Sequence, residues 1–402
     1  MTPVRFLDRS TPPHIATLIL VAGLAALSLN IFLPSLTAMA AHFGVDYSLM
    51  QLSVAAYLAM TALLQLIIGP ISDRFGRRPV LLTATAIFVA ATLGALWAPN
   101  FATFLICRLV QATIATGFAI GRAVVRDMVP PERAASMIGY VTMGMSLVPM
   151  VGPAIGGKLD ALFGWQGSFW LLAIGGIAVF ALLWADLGET ARHRSTSFGQ
   201  QFRAYPALLR SQRFWGYCLA AATASGAFFA FLGGAPYIGD KVYGMDSATL
   251  GFYFAAPAIG YMSGNFFSGR YATHLGINRM SLIGAIVTTT GLAALAVLAL
   301  LGQTGPNVFF GLVISVGLGN GIMLPSANAG MLSVRPELAG SAAGLGGAIT
   351  IGGGAALSML AGLVLNPTSG PLPLVLIMLA SSAASILCML WVIRRARTIG
   401  AA

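Results

Sequence analysis

Charge is what this chain has least of. Asp, Glu, Lys and Arg make up 8% of its 402 residues, only 11 side chains are acidic, and lysine occurs only at Lys158 and Lys241. A soluble domain of this length needs far more polar surface. Cysteine is sparse too. Cys107, Cys218 and Cys388 show no pairing or metal-ligand spacing, and packing is their simplest role. No phosphate-binding loop, His-Glu-x-x-His or Gly-x-Ser-x-Gly occurs. ATP-driven work within the chain is thereby excluded, and there is no enzyme chemistry, cofactor or metal to assign.

What is present is apolar. Hydrophobic residues are 57% of the chain, glycine occurs 48 times, and the mean hydropathy is +0.86. Runs of about 20 residues, the length that crosses a bilayer as a helix, recur throughout. Twelve are expected: 14–39, 49–71, 79–98, 101–126, 134–158, 165–186, 214–238, 247–271, 279–302, 306–331, 338–365 and 371–393. Helices are favoured over barrel strands because the runs lack a two-residue alternation. The expected fold is an all-α membrane protein of twelve transmembrane helices.

The net charge of +11 would suit nucleic acid only if it were clustered for that purpose. Instead, with the N-terminus placed inside, the arginines fall in the even-numbered gaps and at both termini, and the opposite side holds only Lys158 and Lys241. This is the positive-inside pattern. It predicts a multi-pass protein with both termini cytoplasmic, the lipid bilayer as partner, and no nucleic acid. The first span follows Arg5, Asp8 and Arg9, exceeds signal-peptide length and lacks a cleavage site, so it is expected to be retained.

The longest polar gap splits the spans six and six. Residues 1–187 are expected to form one six-helix bundle, 188–213 a cytoplasmic linker with an amphipathic helix around Phe198–Leu209, and 214–402 a second bundle. The halves look duplicated and pseudo-symmetric. Gly69 and Gly76 have counterparts in Gly269 and Gly276, and Arg78 nearly in Arg279. The segment from Pro130 to Ser136 matches that from Arg335 to Ser341 at a similar offset.

One gap stands out. Gly69-Pro70-Ile71-Ser72-Asp73-Arg74-Phe75-Gly76-Arg77-Arg78 packs charge and glycine between the second and third spans. The glycines permit a tight reversal. Asp73 is placed to accept from the N-terminus of a neighbouring helix, and the arginines to pair with acids on adjacent ends. A simple positive-inside loop is the alternative, but Gly-x3-Asp-Arg-x-Gly-Arg-Arg is far more specific.

On that motif the sequence resembles the major facilitator superfamily, over its whole length. Arg108-Leu109-Val110-Gln111 is similar to the family's Arg-x-x-Gln motif, with Ala112 in place of the usual glycine. Gly152-Pro153-Ala154-Ile155-Gly156-Gly157 resembles the antiporter motif of its drug exporters. The segments Ile31–Leu36 and Arg122–Asp127 narrow the match to the Bcr/CflA group of bacterial drug exporters. The resemblance implies a secondary multidrug or antibiotic exporter of the bacterial inner membrane, working by alternating access as one chain. It implies Gly69, Asp73, Arg74, Gly76, Arg77 and Arg78 as a gate with Asp127 pairing to its arginines, and Gly152, Pro153, Gly156 and Gly157 as the antiporter motif.

The substrate is expected between the halves near the midplane. Arg108 costs roughly 2.5–3.5 kcal/mol within a span on insertion scales, so it should face the interior, either coupling transport or anchoring hydrogen bonds. Candidate binding or coupling residues are Asn30, Tyr57, Arg108, Gln111, Phe231, Tyr253, Asn320 and Asn328. The aromatic ones suit cavity lining, lipid contact or helix packing alike; the amides are penalised in lipid.

Asn30 departs from the family. Related exporters hold an acid just before the Leu33-Pro34 segment, and here no carboxylate falls mid-span. Protons remain the expected partner, with Asp73, Asp127 or another acid near the cavity mouth as carrier, or with no proton involved. A cavity with Arg108 and no acid favours neutral or anionic small molecules, such as an amphenicol or a bicyclomycin-like compound. A metabolite exporter or facilitator of the same fold, or a transport-incompetent scaffold, are the alternatives.

Overall fold

The computed structural model describes residues 5–128, 137, 148, 151–191, 205–335, 338–365 and 370–398. Among them the secondary structure is helical, without strands. The spans are α1 (Ile15–Phe43), α2 (Tyr47–Phe75), α3 (Arg77–Leu96), α4 (Phe101–Val125), α5 (151–163) and α6 (Gln166–Asp186), then α7 (Gln212–Val242), α8 (Ala255–Leu275), α9 (Ile277–Leu300), α10 (Pro306–Ser333), α11 (Ala339–Val364) and α12 (Leu372–Thr398). Ten of these are long and apolar enough to cross a membrane. The remaining two are α5 and α8. Most of the fifth expected span, 134–158, lies outside the described residues, as do residues 198–204 of the expected amphipathic helix; 205–209 is helical. At 21 residues, α8 is long enough, but serine, glycine and Asn265 dilute its apolar character.

Several spans are broken where the sequence removes donors or adds small residues. In α1 the α-helix ends at Asn30 and a 3-10 turn, Leu33–Ser35, follows with Pro34 at its start. Proline cannot donate there, so the ladder is interrupted. α7 ends in a π-turn, Ile238–Val242, just after Pro236. α4 carries a 3-10 turn at Ala112–Ala115, directly after Gln111. The eighth expected span, 247–271, is divided: a short helix, Ser247–Tyr253, precedes α8.

The duplication is written in the backbone. Gly76 and Gly276 both sit at positive φ, 101° and 77°, and both donate to the carbonyl four residues back, at 3.1 Å and 2.9 Å. Gly44 and Gly244 repeat the pattern with φ of 64° and 63°, and each is followed two residues later by an aspartate, Asp46 or Asp246, opening a short helix. The Gly-x-Asp pair is a second copy of the repeat that spacing around the arginine motif did not reveal. The matched segment 130–136 lies outside the described residues, and 335–341 partly so.

Within the first set, α3 packs on α6 and α4, and α1 on α6 and α4. Within the second, α8 and α9 flank α10, and α7 lies on α11 and α12. Lipid supplies no hydrophobic drive between helices, so close backbone approach carries the packing. A Cβ at Gly317 or Gly321 of α10 would overlap the carbonyls of Pro257 and Tyr261 on α8. The two sets meet most extensively along α2 and α11.

Candidate functional site

A cavity of about 300 Å³ lies between the two sets of helices, at the lower end of small-molecule pockets. α1, α2 and α4 wall one side, and α7, α8, α10 and α11 the other. The walls are mostly apolar, and among the described residues no charged side chain lines them. Polar groups enter at Asn30, Tyr57, Thr61, Ser225, Tyr261 and Asn320.

Three of these offer atoms without a hydrogen-bond partner among the described residues. Asn30 is buried at the last turn of the α1 helix, and its Nδ2 donates to the Ala26 carbonyl at 2.8 Å. Asn30 Oδ1, Thr61 Oγ1 and Asn320 Oδ1 are buried without a hydrogen-bond partner among the described residues. A buried acceptor left unpaired costs about 1–3 kcal/mol. Such groups on a cavity wall are preorganised to accept hydrogen bonds from a guest.

Arg108 stands behind this wall. It is fully buried, and its Nη1 donates to Gln111 Oε1 at 2.6 Å; Gln111 Nε2 in turn donates to Thr92 Oγ1 at 2.7 Å. The guanidinium carbon lies 4.3 Å from the ring centroid of Phe32 and 4.4 Å from that of Tyr57. The rings supply what no carboxylate does, a negative π-face on a desolvated cation. The turn at Leu33–Ser35 follows directly on Phe32, so the break in α1 helps to aim that ring. Tyr57 reaches the cavity and Arg108 does not.

The other expected residues are dispersed. Phe231 is buried in an aromatic cluster, 5.1 Å from the Phe254 ring and 6.1 Å from that of Phe310. The Tyr253 ring lies tilted against Phe310, 4.9 Å between centroids, and its hydroxyl donates to Asn307. Asn328 is exposed, two turns beyond Asn320. Of the eight, Asn30, Tyr57 and Asn320 line the cavity. Thr61, Ser225 and Tyr261 complete its polar wall. Only their position within apolar spans could have signalled Thr61 and Ser225.

At one end of the first helix set the Gly69–Arg78 motif forms a network. Arg77 pairs with Asp73 and, through Nε at 3.2 Å, with Asp127, and its Nη1 donates to Ser72 Oγ at 2.6 Å. Arg78 donates to the Trp184 carbonyl at 3.0 Å. The carboxylate at the N-terminus of α3 is not Asp73 but Glu189, which accepts from the Arg77 amide at 2.9 Å. Asp73, near the end of α2, is held by its i+4 partner Arg77, the first residue of α3, whereas the chain leaving α6 returns Glu189 to the positive helix end. Gly76 makes room: a Cβ there would strike Glu189. Buried Asp186 ties the chain before α1 to α6, accepting from the Leu7 and His14 amides and from Thr17 Oγ1 at 2.6 Å. Arg74 lies 5.6 Å from the Phe75 ring. Gly69 has open space around it.

The Gly152–Gly157 stretch packs tightly against neighbours from both helix sets. A Cβ on Gly156 would overlap the Ile31 carbonyl, and one on Gly157 the Ser247 carbonyl; Pro153 lies against Gly251 in the same way. Gly152 is packed on Leu27 and faces Asn30. α5 therefore touches the break in α1 on one side and the entry to α8 on the other. Nearby, Tyr47 donates to the Gly233 carbonyl at 2.6 Å, and Gln51 is hooked onto Ser358 of α11.

Two sets of long apolar helices around a shared cavity are the architecture of a multi-pass membrane transporter. The chain belongs to the Major Facilitator Superfamily, whose family model matches residues 18–359. It is 30% identical over 320 residues to a chloramphenicol resistance protein of Pseudomonas aeruginosa, covering 79% of this chain and 76% of that one. It is 25% identical to a bicyclomycin resistance protein homolog of Haemophilus influenzae, covering 91% and 92%. It is 32% identical over 269 residues to the multidrug transporter MdfA of Edwardsiella piscicida, covering 66% and 65%. A crystal structure of a D-xylose-proton symporter shares the fold, with a TM-score of 0.71 over 94% of this chain and 96% of that one at 15% identity.

Proposed function

We propose that this protein is a secondary active exporter of neutral amphiphilic compounds, of the drug and antibiotic type. The observation that carries the proposal is the cavity wall: apolar, uncharged, and bearing the three unpartnered acceptors Asn30 Oδ1, Thr61 Oγ1 and Asn320 Oδ1. A neutral molecule with hydroxyl or amide donors fits that chemistry, as an amphenicol or a bicyclomycin-like compound would. The resistance proteins among the relatives support the class. With Arg108 behind Tyr57, the reason for expecting an anionic substrate falls away.

The arginine distribution supports a bacterial inner-membrane location with both termini cytoplasmic. One chain suffices as the unit of transport, with residues 1–187 and 214–402 rocking about the cavity and 188–213 linking them. Protons are the proposed counter-ion. Because no acid lines the cavity among the described residues, coupling is assigned to Asp73 and Asp127, which share Arg77; protonating either carboxylate weakens its hold on that arginine. A proton-independent facilitator is the second reading, favoured by Asn30 on the cavity wall.

Inverted membrane vesicles separate the two. An imposed pH gradient that drives uptake of a neutral amphenicol, and loses that effect in Asp127→Asn, is the expected result. Equilibration indifferent to the gradient would replace antiport by facilitation. Absence of flux for amphenicols, bicyclomycin and other neutral amphiphiles would overturn the exporter itself.

A further inference from the structure

Near the start of α2, two side chains of the first helix set reach into the second. Gln51 is 1% exposed and lies where a short helix, Tyr47–Met50, meets the long one that begins at Leu52. Its Nε2 donates to the Ser358 carbonyl of α11 and, at 3.1 Å, to Ser358 Oγ. One turn earlier, the Tyr47 hydroxyl donates to the Gly233 carbonyl of α7 at 2.6 Å, and its ring lies 5.0 Å from that of Tyr237.

The second set receives them with backbone and glycine. A helical carbonyl keeps a second lone pair beside its i+4 hydrogen bond. The Cβ of residue i+4 leans back over it, and four residues after Ser358 stands Gly362. A Cβ there would strike Gln51 Oε1, and one at Gly233 would strike Gln51 Nε2. The Gln51 amide thus fills a slot between α7 and α11, walled by the two glycines and floored by Ser358.

The same three helices wall the central cavity, with Tyr57 and Thr61 from α2, Ser225 and Leu232 from α7 and Ile351 from α11. Leu232 directly precedes Gly233, and Ile351 lies two helical turns before Ser358. Helices are stiff over such lengths, so a displacement at the cavity wall reaches the slot. Neutral hydrogen bonds are individually modest. They can hold one arrangement and still be released in every cycle, whereas breaking a buried ion pair there would cost far more.

We infer that Gln51, assisted by Tyr47, is a latch that holds α2 against α7 and α11 in one half of the transport cycle and leaves its slot in the other. The inference rests on the reading of the protein as an alternating-access transporter.

The test places a thiol on the cavity wall with Ser225→Cys and reads its access to a membrane-impermeant maleimide, with the chain lacking that substitution as background. The latch lies at the end of α2 opposite the Gly69–Arg78 motif, the periplasmic face in the proposed orientation. Spheroplasts present that face and inverted vesicles the other. Gln51→Ala should raise the labelling rate from the periplasmic face about five- to tenfold, the factor that one or two neutral hydrogen bonds supply. Gly362→Ala should do the same with Gln51 intact, since its methyl evicts a flexible side chain while alanine favours the helix. The double variant Gln51→Ala/Gly362→Ala should label no faster than either alone; multiplied effects would overturn the pairing. Tyr47→Phe, which deletes one oxygen, should give a smaller rise and serves where the other variants fail to fold. Unchanged labelling in all of them, with amphenicol flux intact, would overturn the latch and leave the exporter standing. No flux, and no difference in wild-type labelling between the two faces, would instead remove the transporter reading and the latch with it.

Discussion

The guanidinium carbon of Arg108 lies 4.4 Å from the ring centroid of Tyr57, and it is Tyr57 that faces the central cavity. The cation is thus screened from the guest by the ring that stabilises it. Tyr57→Phe keeps the ring and gives up only the 3.4 Å contact of its hydroxyl with Ser28 Oγ. Transport by that variant should stay within about threefold of wild type. Tyr57→Ala should open Arg108 to the cavity, so that a carboxylate-bearing substrate analogue begins to compete in a transport assay. Competition already present in the wild type would refute the screening.

Arg108 has no ion-pair partner among the described residues, and its Nε and Nη2 are buried without acceptors. Replacing a buried charge that lacks a carboxylate partner with an apolar chain of similar size is expected to be neutral or stabilising, as it often is for buried ion pairs. Arg108→Met should therefore melt at or above the wild-type temperature while losing transport, because Tyr57 is no longer held. Gln111→Leu should do the reverse to stability. It removes the one acceptor of the guanidinium, a loss of about 1.5–3 kcal/mol for a hydrogen bond to a charged group. Melting curves of the two variants, side by side, decide the matter.

Gly76 and Gly276 are backbone equivalents with different surroundings. Both need positive φ, but a Cβ at Gly276 meets open space while one at Gly76 meets Glu189. Gly276→Ala should cost about 1–3 kcal/mol from backbone strain alone, since φ 77° with ψ 161° is a region that essentially only glycine occupies. Gly76→Ala should cost more, and Glu189→Ala should relieve part of the excess. Additive losses in the double variant would show that Glu189 does not occupy the space assigned to it.

Gly156 meets the backbone of α1, which cannot rotate away as a side chain can. Gly156→Ala should cost about 1–3 kcal/mol by overpacking and should reduce transport by forcing α5 from the break at Ile31. Wild-type melting and flux in that variant would show that the close contact of α5 with that break is not needed.

Much of the architecture was legible beforehand because a bilayer leaves so few solutions. Spans need about 20 apolar residues, and arginine placement orders them. Where composition weakens, legibility fails: α8, diluted by serine and glycine, broke at Phe254 instead of running on from 247. Of the site, Asn30 and Asn320 were found because a buried amide in a span has few places to go. Phe231 and Tyr253 were not resolved, because an aromatic ring satisfies packing and cavity lining equally well.

The sequence by itself determined the class, the span order and the duplication, since these follow from local composition and spacing: where charge is scarce, each glycine, proline and arginine carries much of the pattern. Tertiary structure alone decided which groups meet. Arg108 could have faced the cavity or an acid; the break at Ile31–Ser35 instead sets Phe32 against it and leaves Tyr57 between it and the guest. Glu189 could have remained part of a linker; the return of the chain from α6 brings it to the α3 N-terminus. Contacts between distant segments depend on how helices cross and where they break, and no single segment encodes that.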